Sequence, residues 1–182
     1  MQVVLPGDAV ICATGSHPAP SPIPGADNPI VVDALDVLDR AVTVPKRVVV
    51  IGGGMVGTET ALHLAENGHQ VWVVEMLPQI MSDVAVTDLL SYLERIAKTD
   101  LETLTSTTVA AISDTGVEVV TPNGLRRIEA DQVIMATGFR SDRSLYDALV
   151  EAGQEAYLVG DAVNPGKIMD AFHTAYRLGL TV

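Results

Sequence analysis

The chain has 182 residues, 48% of them apolar, and a formal net charge of −12. That length allows one fair-sized domain, or one domain with part of another, and the apolar share suffices for a buried core. The acidic balance argues against nucleic acid or an anionic membrane as partner, and the single cysteine, Cys12, excludes an internal disulfide, a C-x-x-C redox pair and an iron–sulfur ligand set.

Residues 8–13 read as a short buried strand ending at Thr14-Gly15, with Cys12 as a small buried hydrophobe. Residues 16–29 are rich in proline and small polar side chains; they cannot hold a helix and read as an extended connector. Val31 to Leu38 is apolar enough to rejoin a core, and Asp33 is placed to cap a short helix through Arg40.

Lys46 to Glu75 is the most informative stretch. The apolar run Val48 to Ile51 reads as a buried parallel strand, and the turn Gly52-Gly53-Gly54-Met55-Val56-Gly57 follows it. An amphipathic helix runs to about Asn67, Gly68 stops it, and a second strand, Gln70 to Val74, ends on Glu75. In such a β-α-β unit each part has a task. Gly52 allows the tight exit from the strand, Gly54 lets a diphosphate approach the backbone, and Gly57 lets the helix lie close to the strand. The first helical turn offers free N–H groups and the positive end of the dipole, with the Met55 backbone facing phosphate. Glu75 can accept hydrogen bonds from both hydroxyls of an adenosine ribose and would repel a 2′-phosphate, for which the neighbouring Met76 offers no cation. The pattern therefore points to NAD(H) rather than NADP(H). On these residues alone, a glycine turn that merely packs tightly, or one that holds S-adenosylmethionine or ADP, remains an alternative.

Beyond Glu75, Ser82 or Asp83 is placed to cap a helix running to about Lys98. Leu101 to Leu104 reads as a third parallel strand. Thr107 to Ile112, Gly116 to Thr121 and Leu125 to Glu129 read as an antiparallel meander with a turn at Pro122-Asn123-Gly124. Gln132 to Ala136 is another buried strand, Ser144 to Val150 a short helix, Ala156 to Val159 a strand ended by Gly160-Asp161, and Ile168 to Leu178 a last helix. The pattern Asp-x-Val-Ile-x-Ala-Thr-Gly occurs twice, at 8–15 and 131–138.

Several features read more plainly. His17, His63, His69 and His173 show no metal-ligand spacing, so no metal site is expected. Arg140 and Arg143 read as solvated, and the methionines at 55, 76, 81, 135 and 169 as core filler, Met55 excepted. No signal peptide is visible, nor an apolar run near the roughly 18 residues a membrane helix needs. The expectation is a soluble cytoplasmic protein.

Taken together, the two Ala-Thr-Gly sites, the glycine turn with its acid, and the LVGDAV stretch at 158–163 resemble the two-dinucleotide-binding-domain flavoproteins, the glutathione-reductase-like pyridine-nucleotide oxidoreductases. The wording of 48–80 and 160–179 is most similar to the C-terminal part of NADH:flavin oxidoreductases related to 2,4-dienoyl-CoA reductase and trimethylamine dehydrogenase. The resemblance implies an α/β fold: a Rossmann-like parallel sheet with an antiparallel β-meander crossover, the three-layer FAD/NAD(P)-binding fold, plus remnants of a flanking FAD domain. It divides the chain into a FAD-domain segment and connector (1–40), an NAD-binding domain (41–140) and a returning FAD-domain segment (141–182).

Carried onto this sequence, the resemblance places Glu59, Thr137 and Gly138 beside NAD, with Glu59 near the nicotinamide. Thr14 and Gly15 would touch FAD, and Gly160-Asp161 would meet the flavin ribityl chain. Without the resemblance, Asp161 could simply cap a helix, and Glu59 could simply favour a helix dipole. In such proteins NADH reduces FAD, and an FMN-bearing barrel and a four-iron cluster lie upstream; neither the barrel nor the cluster cysteines are in this sequence. The expectation is an excised piece, partnered by NADH and the rest of its parent polypeptide and without turnover alone. The alternative is a structural domain that holds ADP without redox. No catalytic acid–base pair or nucleophile triad stands out, which fits hydride transfer, where cofactors carry the chemistry.

Overall fold

A computed structural model of the chain describes residues 9–82 and 84–182. In chain order the strands and helices are β1 (Val10–Cys12), β2 (Ser16–Pro18), β3 (Val31–Asp33), α1 (Ala34–Leu38), β4 (Arg47–Ile51), α2 (Met55–Glu66), β5 (Gln70–Val74), α3 (Val86–Ile96) and β6 (Glu102–Leu104). They continue with β7 (Thr108–Ser113), β8 (Gly116–Thr121), β9 (Gly124–Glu129), β10 (Gln132–Met135), β11 (Phe139–Ser141), α4 (Ser144–Glu151), β12 (Ala156–Leu158), a 3-10 turn (Gly160–Ala162) and α5 (Ile168–Leu178). The chain forms two compact units, one of residues 20–137 and one of 1–19 with 138–182.

The unit of residues 20–137 is three layers deep. Its middle is a five-stranded parallel sheet in the order β3-β10-β4-β5-β6. Because side chains alternate along a strand, Val48 and Val50 of β4 join one core cluster with Ala61, Leu62 and Leu64 of α2, while Val49 and Ile51 join a second with Val117 and Val119 of the meander β7-β8-β9. Both faces of β4 are covered, which is why it reads as an unbroken apolar run. Asp33 caps α1 by accepting the Leu35 N–H at 2.8 Å.

The other unit is smaller. β1 and β12 form a two-stranded parallel sheet, and β2 and β11 an antiparallel ribbon. The sequence repeat is also a structural one. Val10 pairs with Ala156 and takes a backbone bond to Glu155 O; Val133, its counterpart, pairs with Val31 and bonds to Ile30 O. The residues after the two Ala-Thr-Gly sites then pair with each other about a centre at His17 and Arg140.

Three expectations need correction. The start of the proline-rich connector is not only linker, because Ser16–Pro18 pairs with Phe139–Ser141. The helix expected from Ser82 or Asp83 begins at Val86, with Ala85 at its cap and no side-chain bond. Asp83, like Asp8 of the first repeat, lies outside the described residues. Met76 and Met169 are not core filler but 70% and 62% exposed, one in a loop and one on the outer side of α5. Cys12 is a free, buried thiol. Among the described residues no helix is long and apolar enough to cross a membrane.

Candidate functional site

The glycine turn sits where β4 gives way to α2, at the carboxyl end of the parallel sheet. Gly52 donates its N–H to Val74 O at 2.9 Å and has φ +106°. A Cβ there would lie 2.3 Å from Ala136 O, so both conformation and space require glycine. At Gly57 a Cβ would lie 2.0 Å from Gly52 O and 3.0 Å from Ala136 Cβ, so α2 sits as close to the strands as its backbone permits. Gly54 is different: a Cβ there would meet nothing within 4 Å. Gly54 is also the cap residue of α2, and among the described residues no side chain caps the first-turn N–H groups of that helix.

Glu75 closes the site from the neighbouring strand. It is 8% exposed. Its Oε2 accepts the Gly53 N–H at 2.6 Å and its Oε1 accepts the Leu77 N–H at 2.7 Å. A carboxylate offers about four lone-pair sites, so each oxygen keeps one more. The backbone of Glu75 bonds to Leu104 O and Thr107 N, both at 2.9 Å. These two residues also line a cleft of about 400 Å³ with Thr105, Asn123 and Arg126. Open α/β sheets hold ligands in this region, beyond the carboxyl ends of their strands.

The structure thus brings Gly52, Gly53, Gly54, Met55, Val56, Gly57 and Glu75 together in one place. Met76 follows directly and is exposed. Thr137 is exposed just beyond β10. Glu59 lies on the exposed stripe of α2 and accepts the Tyr92 hydroxyl of α3. That carboxylate holds the Tyr92 phenol above its ordinary pKa, with burial adding to the shift.

The remaining sequence candidates form their own cluster in the smaller unit. Gly15 and Gly138 have φ +79° and +103°, and Thr14 Oγ1 donates to Asp142 O at 2.5 Å. Asp161 lies in the 3-10 turn. Its carboxylate accepts from Ser16 Oγ at 3.2 Å and Gly166 N at 3.3 Å, and its carbonyl from Ser141 Oγ at 2.6 Å. Gly160 N–H donates to Thr174 Oγ1 at 2.8 Å. Among the described residues no group of three or more His, Cys, Asp or Glu could hold a metal.

Sequence reasoning missed three parts of the glycine turn. Ala136 forms the wall against which Gly52 and Gly57 fit; its small size in Ala-Thr-Gly was the available signal. Ile80 covers Gly53, with Cγ2 2.9 Å from the position of a Cβ there. Met81 donates its N–H to Gly53 O at 2.7 Å, and no sequence feature announces that.

The model of the pyridine nucleotide-disulphide oxidoreductase family matches residues 3–164. The chain belongs to this family. It is 38% identical over 180 residues to an NADH oxidase of Thermoanaerobacter brockii, covering 96% of this chain and 28% of the relative. It is 33% identical over 197 residues to a metal reductase of Desulforamulus reducens, covering 92% and 30%. Among solved structures, a 2-naphthoyl-CoA reductase in complex with 2-naphthoyl-CoA superposes with a TM-score of 0.89 at 34% identity, over 96% of this chain and 27% of that one. The chain therefore spans less than a third of the length of these proteins. Its mixed α/β architecture, parallel sheet with antiparallel meander, is that of a pyridine nucleotide-disulphide oxidoreductase domain.

Proposed function

We propose that residues 20–137 bind NAD(H), and that in a longer flavoprotein this unit presents NADH to FAD. The observation that carries the reading is the Glu75 carboxylate, fixed on the Gly53 amide beside a glycine whose side faces open space. The diphosphate would rest at Gly54 on the first-turn N–H groups of α2, Met55 and Val56 among them. Glu75 would take the 2′- and 3′-hydroxyls of the adenosine ribose on its remaining lone pairs, and the adenine would enter the cleft beside Leu104 and Thr107. A 2′-phosphate would meet a negative charge that two backbone bonds prevent from turning away. Bound NADH supplies the hydride; the chain orients it, with Glu59, Thr137 and Gly138 toward the nicotinamide end.

The parent would be an NADH-dependent flavin oxidoreductase of the type related to 2,4-dienoyl-CoA reductase, with FMN and an iron–sulfur cluster elsewhere in its polypeptide. The lengths of the relatives support a longer polypeptide. So does the repeat: β10 lies between β3 and the strand that enters a glycine turn, whereas β1 pairs with β12 alone among the described strands. By that correspondence the open edge of β1 would receive a second glycine-turn strand, and Thr14, Gly15, Gly160 and Asp161 would line an FAD site completed by it. The apolar side of α5, with Ile168, Phe172 and Tyr176 each more than two-thirds or nearly so exposed at 78%, 67% and 68%, also fits a surface covered by further polypeptide.

The test is a titration of the chain with NADH, NADPH and ADP. Trp72, the only tryptophan, lies in β5 and serves as energy-transfer donor to the reduced nicotinamide. NADH is expected to bind more tightly than NADPH; equal or tighter NADPH binding overturns the role of Glu75. ADP binding as tight as NADH would favour the non-redox, ADP-holding alternative.

A further inference from the structure

Met81 is buried, with no exposed surface, yet its backbone has φ +50°. A non-glycine residue in the left-handed region is disfavoured, and such residues persist where the surroundings over-determine them. Three contacts do so here, one of them the Val84 N–H donated to the Met81 carbonyl at 3.1 Å. The side chain joins the core cluster that includes Val50, Leu62 and Val73. The N–H donates to Gly53 O at 2.7 Å. That carbonyl also accepts the Thr58 hydroxyl at 3.1 Å, and the Gly53 N–H is taken by Glu75. Both polar groups of Gly53 are therefore held from three sides. The next residue, Gly54, is the one left open.

We infer that Met81 is a positioning residue for the diphosphate: its buried side chain anchors a strained amide that fixes Gly53, and so aims the peptide groups from Gly54 onward. The inference rests on the NAD(H) reading above. Thr58 acts on the same carbonyl from within α2; the residue is fully buried, and among the described residues that is the bond its hydroxyl makes. Met81→Ala removes the buried anchor and leaves only backbone bonds, to Gly53 O and from Val84 N–H, to hold the left-handed backbone. Met81→Leu keeps an anchor of similar volume. Thr58→Val removes only the second donor.

The experiment measures binding of NADH, ADP and adenosine to the wild-type chain and these three variants, by Trp72 energy transfer for NADH and ligand-observed NMR for the others. Met81→Ala is expected to lose about tenfold in NADH and ADP affinity, the scale of one hydrogen bond, and Thr58→Val several-fold. Adenosine, which has no diphosphate, should bind all of them alike, and Met81→Leu should restore ADP binding. If Met81→Ala does not fold, Thr58→Val decides by the same ratio of ADP to adenosine. Unchanged ADP affinity in the folded variants, or parallel losses for ADP and adenosine, overturns the positioning role while leaving the NAD(H) reading intact. Failure of the wild-type chain to bind either NADH or ADP would instead remove the reading on which it rests.

Discussion

Ile134 of β10 and Ile11 of β1 occupy the same place in the same eight-residue pattern, with the same pairing register to one neighbouring strand. Ile134 is 0% exposed and Ile11 55%. The pattern decides that a strand forms and where it pairs; it does not decide burial, which needs a second neighbour and a covering layer. β10 has β4 beside it and helices over it. β1 has β12 alone among the described strands. The difference separates what is written in eight residues from what only an assembled sheet can provide.

The most direct way to break this comparison is to truncate both isoleucines. Ile134→Ala should cost about 2–5 kcal/mol through the cavity it leaves, and Ile11→Ala under about 0.5 kcal/mol, by urea unfolding followed by circular dichroism. Similar costs would mean that the two sites are equally enclosed. The turn that flanks β10 is next: Gly57→Ala forces a Cβ onto Gly52 O and Ala136, and should cost about 1–3 kcal/mol, the range for overpacking. Gly54→Ala sharpens the contrast within the same turn. The residue has φ −67° and free space beside it, so stability should hold within about 0.5 kcal/mol while NADH affinity falls at least tenfold. A variant as weak in stability as Gly57→Ala would show that Gly54 is a packing glycine after all.

The smallest effect concerns the layer that covers the sheet. Arg126 on β9 donates to Glu102 on β6 at 2.7 Å, and Trp72 Nε1 donates to the same carboxylate at 2.8 Å. The Arg126 guanidinium, helped by Trp72 and opposed by burial, holds the Glu102 carboxyl below its ordinary range. Because the folded value is depressed, the pair's contribution is complete above about pH 4.3, the unfolded value, and is lost as pH falls through the folded value. Partly exposed pairs of this kind contribute under about 1 kcal/mol. Trp72 emission should therefore change in acid below about pH 4.3, and Glu102→Gln should abolish that step.

Much of the larger unit was legible because its signals were physical necessities. The four-residue run before Gly52 had to be covered on both faces, and of the three glycines at that spacing Gly52 and Gly57 answer a steric demand that the structure displays, while Gly54 leaves the space a diphosphate would need. Asp33 was read as a cap because a short acid before an apolar turn has that chemistry, and it caps α1. Ser82 has the same chemistry but caps nothing in α3, because the stretch before that helix is committed to the glycine turn instead, with Met81 bonded to Gly53. The ribbon of β2 and β11 was not legible: three residues, one of them proline, show no period, and their partners lie more than a hundred residues away. The apolar stripe of α5 correctly marked a helix over Ile168–Leu178, yet no residue of that helix is buried.

The paired ribbon carries one more consequence. Ala19 N bonds to Gly138 O at 2.9 Å, so the chain leaves for residue 20 beside the point where it returns from 137. A segment whose two ends are already adjoining can be lifted out as a cassette. Its entry and exit need only a short splice, and a new start could be opened at a surface turn such as Asn123-Gly124 without severing the sheet. In that respect the adjoining ends of residues 20–137 are what grafting into another host requires.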